Sequence, residues 1–262
     1  MKNTLVLLAC ASALVAQTPR FIHANVEAIA AGTDLAAQMQ QLEKRPGPLW
    51  VGYQVARVAE RGESCGVAYL ENNGRYAAAE AADLESPRTQ TILYRISAGT
   101  IEHVRTVSDG CAIDAGGLPV VLLSGVSAEQ SVAFLSKSGL GNGALAAIAM
   151  TDTPAAVDAL IRLAKDDPSP AVRGQALFWV AQRAGAKAEG AITDAIANDP
   201  VTSVKERAVF GLSQLPNGEG VPLLIHVAET NTNPAVRKRA MFWLGQSKDP
   251  RALDFFQQLL SR

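Results

Sequence analysis

The chain contains the stretch Val172-Arg173-Gly174-Gln175-Ala176-Leu177-Phe178-Trp179-Val180-Ala181-Gln182, and related stretches follow at 204–214 and 236–246, 32 residues later each time. Five positions keep their character in all three copies: Val172/Val204/Val236, Arg173/Lys205/Arg237, Ala176/Ala208/Ala240, Phe178/Phe210/Phe242 and Gln182/Gln214/Gln246. A fixed period between about 20 and 50 residues is typical of stacked-repeat proteins, which usually act as extended surfaces that grip partners. The sequence therefore predicts a repeat architecture with a binding role.

Each repeat is predicted to be a pair of helices. The first helix of each pair covers about 154–165, 188–197, 220–229 and 250–260. The second is the quoted stretch, which follows Asp167-Pro168, Asp199-Pro200 or Asn231-Thr232-Asn233-Pro234; a capping side chain and an early proline favour a helix start. A degenerate pair begins at Ser127, so an α-solenoid is expected over 127–262, with a truncated last repeat. Gln257, Gln258 and Arg262 are expected to shield its open end.

The recurring pattern Asp-Pro-x-x-x-Val-Arg-x-x-Ala, followed by an apolar helix and then by Asp249-Pro250-Arg251-Ala252-Leu253, resembles the HEAT-repeat family. It is most similar to the short-repeat branch that also occurs in phycobilin lyases. The resemblance covers about 127–262 and implies an α-solenoid that binds other proteins, with the second helix of each pair on the concave surface. A chain that joins a different front half to such repeats resembles certain exported bacterial proteins.

Helical geometry divides the repeated stretch into two faces. At about 100° per residue, Val172, Ala176 and Val180 fall close together and form a buried stripe, whereas Phe178 lies almost opposite. The candidate partner-binding residues are Phe178 and its equivalents with their flanking neighbours: Phe178, Phe210, Phe242, Gln175, Arg207, Arg239, Gln182, Gln214 and Gln246. Aromatic and arginine side chains are enriched among interface hot spots.

Two other roles for the phenylalanines stay open, because solenoid helices are buried on more than one side. They could pack between neighbouring repeats, or they could be covered by the front half of the chain. Trp179 and Trp243 lie nearer the buried stripe and are expected to pack. Arg173, Lys205 and Arg237 also lie on the buried side, where they are expected to reach aspartates or carbonyl groups of neighbouring turns.

The fold class expected of the whole chain is α+β with two domains, a small antiparallel β domain followed by the solenoid. Residues 17–48 are interpreted as a helical lead-in, with a helix over 34–44 whose apolar stripe is Leu35, Met39 and Leu42. Residues 49–126 are interpreted as the β domain. Its clearest feature is a hairpin with arms at 91–96 and 100–107, joined by Ser97-Ala98-Gly99.

Residues 1–16 have the pattern of a secretory signal peptide: an early lysine, an apolar run and small residues after it. Cleavage after Ala13 or after Ala16 would fit, and the run is too short to span a bilayer. The expected location is periplasmic or secreted. The alternative is a lipoprotein anchored at Cys10, since Leu7-Leu8-Ala9-Cys10 resembles a lipidation site.

Removal of the leader leaves two cysteines, and in an oxidising compartment Cys65 and Cys111 are expected to form a disulfide. The alternative is a reactive Cys111 with His103 as its base. The loop 109–117 is interpreted as a Gly-rich tight turn rather than a calcium site, because the ordered ligand spacing of a calcium loop is missing. His23, His103 and His226 are too scattered for a zinc site, so no metal or cofactor is predicted.

These observations favour an exported, non-catalytic interaction scaffold that binds another protein through the concave face of its solenoid. The net charge of −1 gives no field that would favour nucleic acid, and no group has a partner at catalytic spacing. The alternatives are binding of a small molecule or glycan of the cell envelope through the β domain, and a lyase-like enzyme. The sequence leaves the partner's identity and the oligomeric state open.

Overall fold

The computed structural model describes residues 18–59, 66–71, 76–77, 88–137 and 139–261. The predicted leader at 1–16 lies outside these residues, as does Cys65. The strands are β1 (Arg20–Ile22), β2 (Asn25–Ala30), β3 (Leu49–Ala56), β4 (Val67–Tyr69), β5 (Tyr76–Ala77), β6 (Thr89–Ser97), β7 (Thr100–Ser108), β8 (Ala112–Asp114) and β9 (Pro119–Ser124). They confirm a β-rich front half.

Helices make up most of the rest of the chain. They are α1 (Leu35–Glu43), α2 (Ala128–Leu135), α3 (Gly141–Met150), α4 (Pro154–Asp166), α5 (Pro170–Arg183), α6 (Ala186–Asn198), α7 (Thr202–Ser213), α8 (Gly220–Thr230), α9 (Pro234–Gln246) and α10 (Pro250–Leu260). The predicted order of a β-rich half and then a solenoid is confirmed. No helix among the described residues is long and apolar enough to cross a membrane.

The sheets are mixed rather than antiparallel as predicted. One sheet has the order β2-β9-β3-β6-β7, and the other has the order β1-β8-β4-β5. The hairpin β6–β7 is antiparallel, as the sequence predicted, but β9 lies parallel to both β2 and β3. Parallel strands need a long connection between them. Their pairing therefore cannot be predicted from a local turn motif in the sequence.

The lead-in is only partly helical, which corrects the interpretation of 17–48. Its helix α1 occupies the predicted place, with the carboxylate of Asp34 accepting the Ala37 N–H at 3.0 Å. Before it, however, β1 pairs with β8 and β2 pairs with β9. These two strands carry the start of the described chain into both sheets.

The central strands of the five-stranded sheet, β9, β3 and β6, are buried on both faces. Val51, Tyr53 and Tyr94 point to a hydrophobic cluster that continues through the helices as far as Phe255 of α10. Trp50 belongs to a second cluster, shared with the four-stranded sheet. Because neighbouring side chains of a strand point to opposite faces, the central strand β3 is apolar on both faces over residues 49–53. One core therefore extends from the sheet into the solenoid.

Buried polar contacts tie the sheet to the first helices. The hydroxyl of Tyr53 lies 2.6 Å from that of Tyr94 and 3.0 Å from Oγ of Ser131 in α2. The side-chain amide of Gln90 donates to the carbonyl of Ala147 in α3 at 3.1 Å and to Oγ1 of Thr151 at 3.0 Å. These directional bonds fix how the helices lie on the sheet.

The substitution Tyr53→Phe tests this network. It removes one hydroxyl and leaves two buried hydroxyl groups short of a partner, so we expect the free energy of unfolding to fall by about 1–3 kcal/mol. Burial raises the pKa of Tyr53 to about 12, so the phenol is protonated at neutral pH and can donate. Urea denaturation measures the effect, and a neutral result would show that Tyr94 and Ser131 find each other without Tyr53.

The repeated pattern Asp-Pro or Asn-x-x-Pro forms the same turn in each repeat. A side-chain oxygen of Asp167, Asp199 or Asn231 accepts the N–H of the residue two positions on, at 2.8–2.9 Å. Such turns let the chain reverse between two helices. The predicted stripe is buried at Ala176 and Val180, while Val172 is partly buried against the same core.

The last helix differs from the predicted polar cap. Gln257 and Gln258 are exposed, but Leu253, Leu259 and Leu260 are exposed as well. The stripe of α10 that faces away from the solenoid is therefore partly apolar. Arg262 lies outside the described residues.

Candidate partner-binding face of the solenoid

Five aromatic side chains form a continuous row across α5, α7 and α9, here called the aromatic row: Trp179, Phe178, Phe210, Trp243 and Phe242 in order of contact. Phe178 and Phe210 stack with their centroids 6.1 Å apart and their planes 3° from parallel. The ring of Phe210 then meets that of Trp243 at 4.8 Å. Each tryptophan also packs edge to face against the phenylalanine before it in sequence, at 5.0 Å. The row thus crosses three helices without a break.

The aromatic row is partly open to solvent. Phe178 and Phe210 are half-buried, and half of Phe242 is exposed. The rings therefore pack between repeats, one of the roles considered for the phenylalanines, and part of their surface stays open to solvent. Among the described residues, the row is most open to solvent at Phe242, which is 50% exposed.

The two tryptophans contribute ring surface rather than polar contacts. Both are half-buried, as expected of packing residues. Their indole nitrogens are buried, and neither has a hydrogen-bond partner among the described residues. A partner on the exposed side would meet the rings and not these N–H groups.

A basic edge runs along one side of the aromatic row. Arg207 of α7 and Arg239 of α9 occupy the position of Gln175 in α5, and both are exposed. The ion pairs among the described residues involve neither arginine. Gly174 makes room for this edge, because a Cβ there would lie 2.3 Å from Cδ of Arg207. The stem of Arg207 thus lies across α5.

A neutral polar edge runs along the other side. Gln182 and Gln246 are exposed, and Gln214 is half-buried, with its amide donating to Oγ of Ser213 at 3.1 Å. Amide side chains can both donate and accept hydrogen bonds. The predicted residues thus lie on one face as three rows: basic, aromatic and amide.

The basic residue of each repeated stretch has the structural role that the sequence predicted. Arg173 donates to the carboxylate of Asp199 through Nε at 2.7 Å, and to the carbonyl of Asp167 at 2.9 Å. Arg237 donates to the carbonyl of Asn231 at 2.7 Å, and Lys205 donates to that of Ala197 at 2.7 Å. These groups hold neighbouring turns together and do not belong to the exposed face.

The loop 109–117 is not a single turn, because Ala112–Asp114 form the strand β8. Cys111 is buried beside it in the cluster between the sheets. Since Cys65 lies outside the described residues, the disulfide stays a prediction. His103 is exposed on β7, and His23 is paired with Asp114 at 2.9 Å. Among the described residues, no group of three or more His, Cys, Asp or Glu side chains could hold a metal ion.

Part of the solenoid matches a known protein family. Residues 190–262 match the family described as HEAT repeats. The match confirms the predicted resemblance for the part of the solenoid from α6 onward. Among solved structures, the complex of CpcE and CpcF of phycocyanin lyase from Nostoc sp. PCC7120 is similar over 52% of this chain and 89% of that chain. Its sequence identity is 19% and its TM-score is 0.37. No curated protein matches the chain.

Proposed function

We propose that this protein is a non-catalytic interaction scaffold that binds another protein across α5, α7 and α9. The observation that carries the proposal is the aromatic row, which remains partly exposed although its rings contact one another. Contiguous apolar surface of this kind, rimmed by polar residues, is typical of protein–protein interaction sites. Stacked repeats present such surfaces over several units.

The two polar edges define the chemistry of the partner. A basic edge attracts carboxylates, and arginine binds them through two parallel hydrogen bonds. The aromatic row favours apolar or aromatic side chains. The partner is therefore an extended protein segment in which acidic residues alternate with apolar ones. The amide edge, at Gln182 and its equivalents, can bond to the partner's backbone.

We also propose that the protein works outside the cytoplasm. The support is the signal-peptide pattern of residues 1–16, in particular the apolar run that follows Lys2. The partner would then be a periplasmic, secreted or cell-surface protein. N-terminal sequencing of the protein purified from its native cells tests this, because a chain that still begins at Met1 would contradict export.

A displayed library of peptides, selected against the full chain, tests the binding face. We expect enrichment of peptides that combine Asp or Glu with Leu, Phe or Trp. The substitution Phe242→Ala should weaken these peptides about 30-fold, the effect of losing one hot spot of about 2 kcal/mol. Arg239→Glu should weaken them at least as much, because it places like charges together. Arg239 is exposed, so Arg239→Glu should melt as the wild type does, whereas Phe242→Ala should lower the melting temperature slightly through the lost contact with Trp243.

Leu253→Ala provides the matched control. Leu253 is exposed on α10 by 59%, so this variant also removes exposed apolar surface, but away from the aromatic row. Peptide binding should be unchanged in it. Selected peptides that are basic, or that bind Phe242→Ala as tightly as the wild type, would refute the proposed face.

A further inference from the structure

In the front half of the chain, three parallel strands of the four-stranded sheet end at one edge. In the four-stranded sheet, β8 lies between β1 and β4 and runs parallel to both. Its last residue, Asp114, is in register with Ile22 of β1 and with Tyr69 of β4. Since parallel strands end at the same edge, His23 and Glu71, which follow β1 and β4, are brought there together.

His23 and Asp114 form an oriented pair at this edge. Nδ1 of the imidazole lies 2.9 Å from Oδ2 of the carboxylate, and the N–H of Gly116 donates to Oδ1 at 2.8 Å. The Gly116 bond and the His23 bond together lower the pKa of Asp114, so the carboxylate is ionised at neutral pH. An ionised carboxylate can only accept, so Nδ1 of the ring donates to Asp114, and in the neutral form of the imidazole the lone pair lies on Nε2.

The backbone holds His23 in a conformation that non-glycine residues rarely adopt, with φ at +48°. Two bonds fix it there: Gly117 donates to the carbonyl of His23 at 2.7 Å, and Ala115 donates to that of Ile22 at 3.2 Å. Such strain persists only where surrounding structure enforces it, and it is concentrated at functional sites. The side chain itself is 74% exposed, so the fold does not need it for its core.

The pair borders a cavity of about 440 Å³, within the usual range for small-molecule sites. Among the described residues, the cavity is lined by His23, Tyr69, Glu71, Asp114, Gly116 and Gly117. The Glu71 carboxylate is already engaged, since it accepts from Nε1 of Trp50 at 2.7 Å and from Arg95 at 2.9 Å. Glu71 therefore offers the cavity its stem, which packs against Gly116.

We propose that this cavity binds a neutral saccharide. One sugar hydroxyl donates to Nε2 of His23, and the sugar ring lies against Tyr69. A hydroxyl group fits because Nε2 accepts a hydrogen bond in the Nδ1–H form of the imidazole that Asp114 orients. An anion is disfavoured by the ionised Asp114 behind the imidazole. Small-molecule sites combine apolar surface with a few placed polar groups; here Tyr69 and the stem of Glu71 supply the apolar surface and His23 supplies the polar group.

The substitution Asp114→Asn tests the proposal by reversing one hydrogen bond. The amide oxygen can still accept from Gly116, but the amide nitrogen then donates to Nδ1 of His23. The ring hydrogen moves to Nε2, which becomes a donor. We expect the ¹⁵N signals of His23 to report this change of tautomer. The same signals measure the binding of glucose, galactose and N-acetylglucosamine to the full chain. We expect Asp114→Asn to bind these sugars about tenfold more weakly than the wild type.

Two further variants separate binding from folding. His23→Gln removes the imidazole and should also abolish sugar binding, and its melting temperature should fall no further than that of Asp114→Asn, since both changes alter the same pair. His103→Gln, which alters an exposed histidine on β7, should leave binding unchanged. The proposal is overturned if none of the three sugars shifts the His23 signals of the wild type, or if acetate or methylammonium shifts them more strongly. Phe242→Ala should not affect these signals, so this site and the binding face of the solenoid can fail independently.

Discussion

Replacing Arg173 by alanine is expected to lower the free energy of unfolding by about 3–5 kcal/mol, the usual result of removing one partner of a buried ion pair. Arg173 and Asp199 are 7% and 8% exposed, and two guanidinium nitrogens bind the carboxylate at 2.7 and 3.1 Å. The variant leaves Asp199 as a buried charge without its cation. It also frees the carbonyl of Asp167. Urea denaturation measures the loss.

The equivalent residue in the next repeat provides the control. Lys205 is half-buried and donates to the carbonyl of Ala197, so Lys205→Ala should cost only about 1 kcal/mol. Equal losses in the two variants would mean that stem packing, and not the buried charge, governs both.

The effect of Arg173→Ala should also depend on pH. Burial raises the pKa of Asp199, but hydrogen bonds from Arg173 and from Val201 outweigh it, so the pKa lies below the usual 3.8. A lowered pKa in the folded state gives stability that is present above the unfolded value and is lost as the pH falls through the folded one. The difference between wild type and variant should therefore shrink below about pH 3.8. A difference that stays constant would contradict the ion-pair explanation.

Gly143→Ala is expected to destabilise the chain by about 2–3 kcal/mol, as overpacking a tight contact does. Gly143 lies in α3, directly against β7, and a Cβ there would stand 2.2 Å from the carbonyl oxygen of Val104. That oxygen is backbone and cannot rotate away. The helix would have to move off the sheet, which would strain the bonds that Gln90 makes to Ala147 and Thr151.

Replacing a second glycine by alanine is expected to have the opposite effect on stability. Gly190 lies within α6, where an added Cβ would meet open space, so Gly190→Ala should stabilise the chain by about 1 kcal/mol through helix propensity alone. Thermal denaturation of both variants makes the comparison. If Gly143→Ala were also stabilising, the close approach of α3 to β7 would be wrong.

The solenoid could be predicted closely because its signals are local. The stripe containing Ala176 and the turn at Asp167 depend on residues within one or two helical turns, and the 32-residue period repeats that information. The structural role of Arg173 followed from its place on the helical wheel. What the wheel could not give was the register between helices, in which Phe210 meets Trp243.

The front half could be predicted only in part. The hairpin β6–β7 and the helix α1 have local signals, and both were correct. The lead-in strands β1 and β2 were missed, because their partners β8 and β9 lie about 90 residues away along the chain. The pair His23–Asp114 was missed for the same reason. In the sequence, His23 looked like a surface or strand-face residue, and Asp114 stood out only as one aspartate of the Gly-rich loop 109–117.

The sequence by itself determined the repeat, the helix boundaries, the buried stripe and the choice of candidate binding face, because helix formation and capping depend on neighbours a few residues apart. Tertiary structure alone decided the mixed sheets, the shared core, the unbroken contact of the aromatic row and the cavity beside His23. The physical reason is that strand pairing and side-chain contacts between elements draw their free energy from segments distant in sequence. Neither the repeat period nor the residue spacing in the sequence indicates which of those segments will pack together.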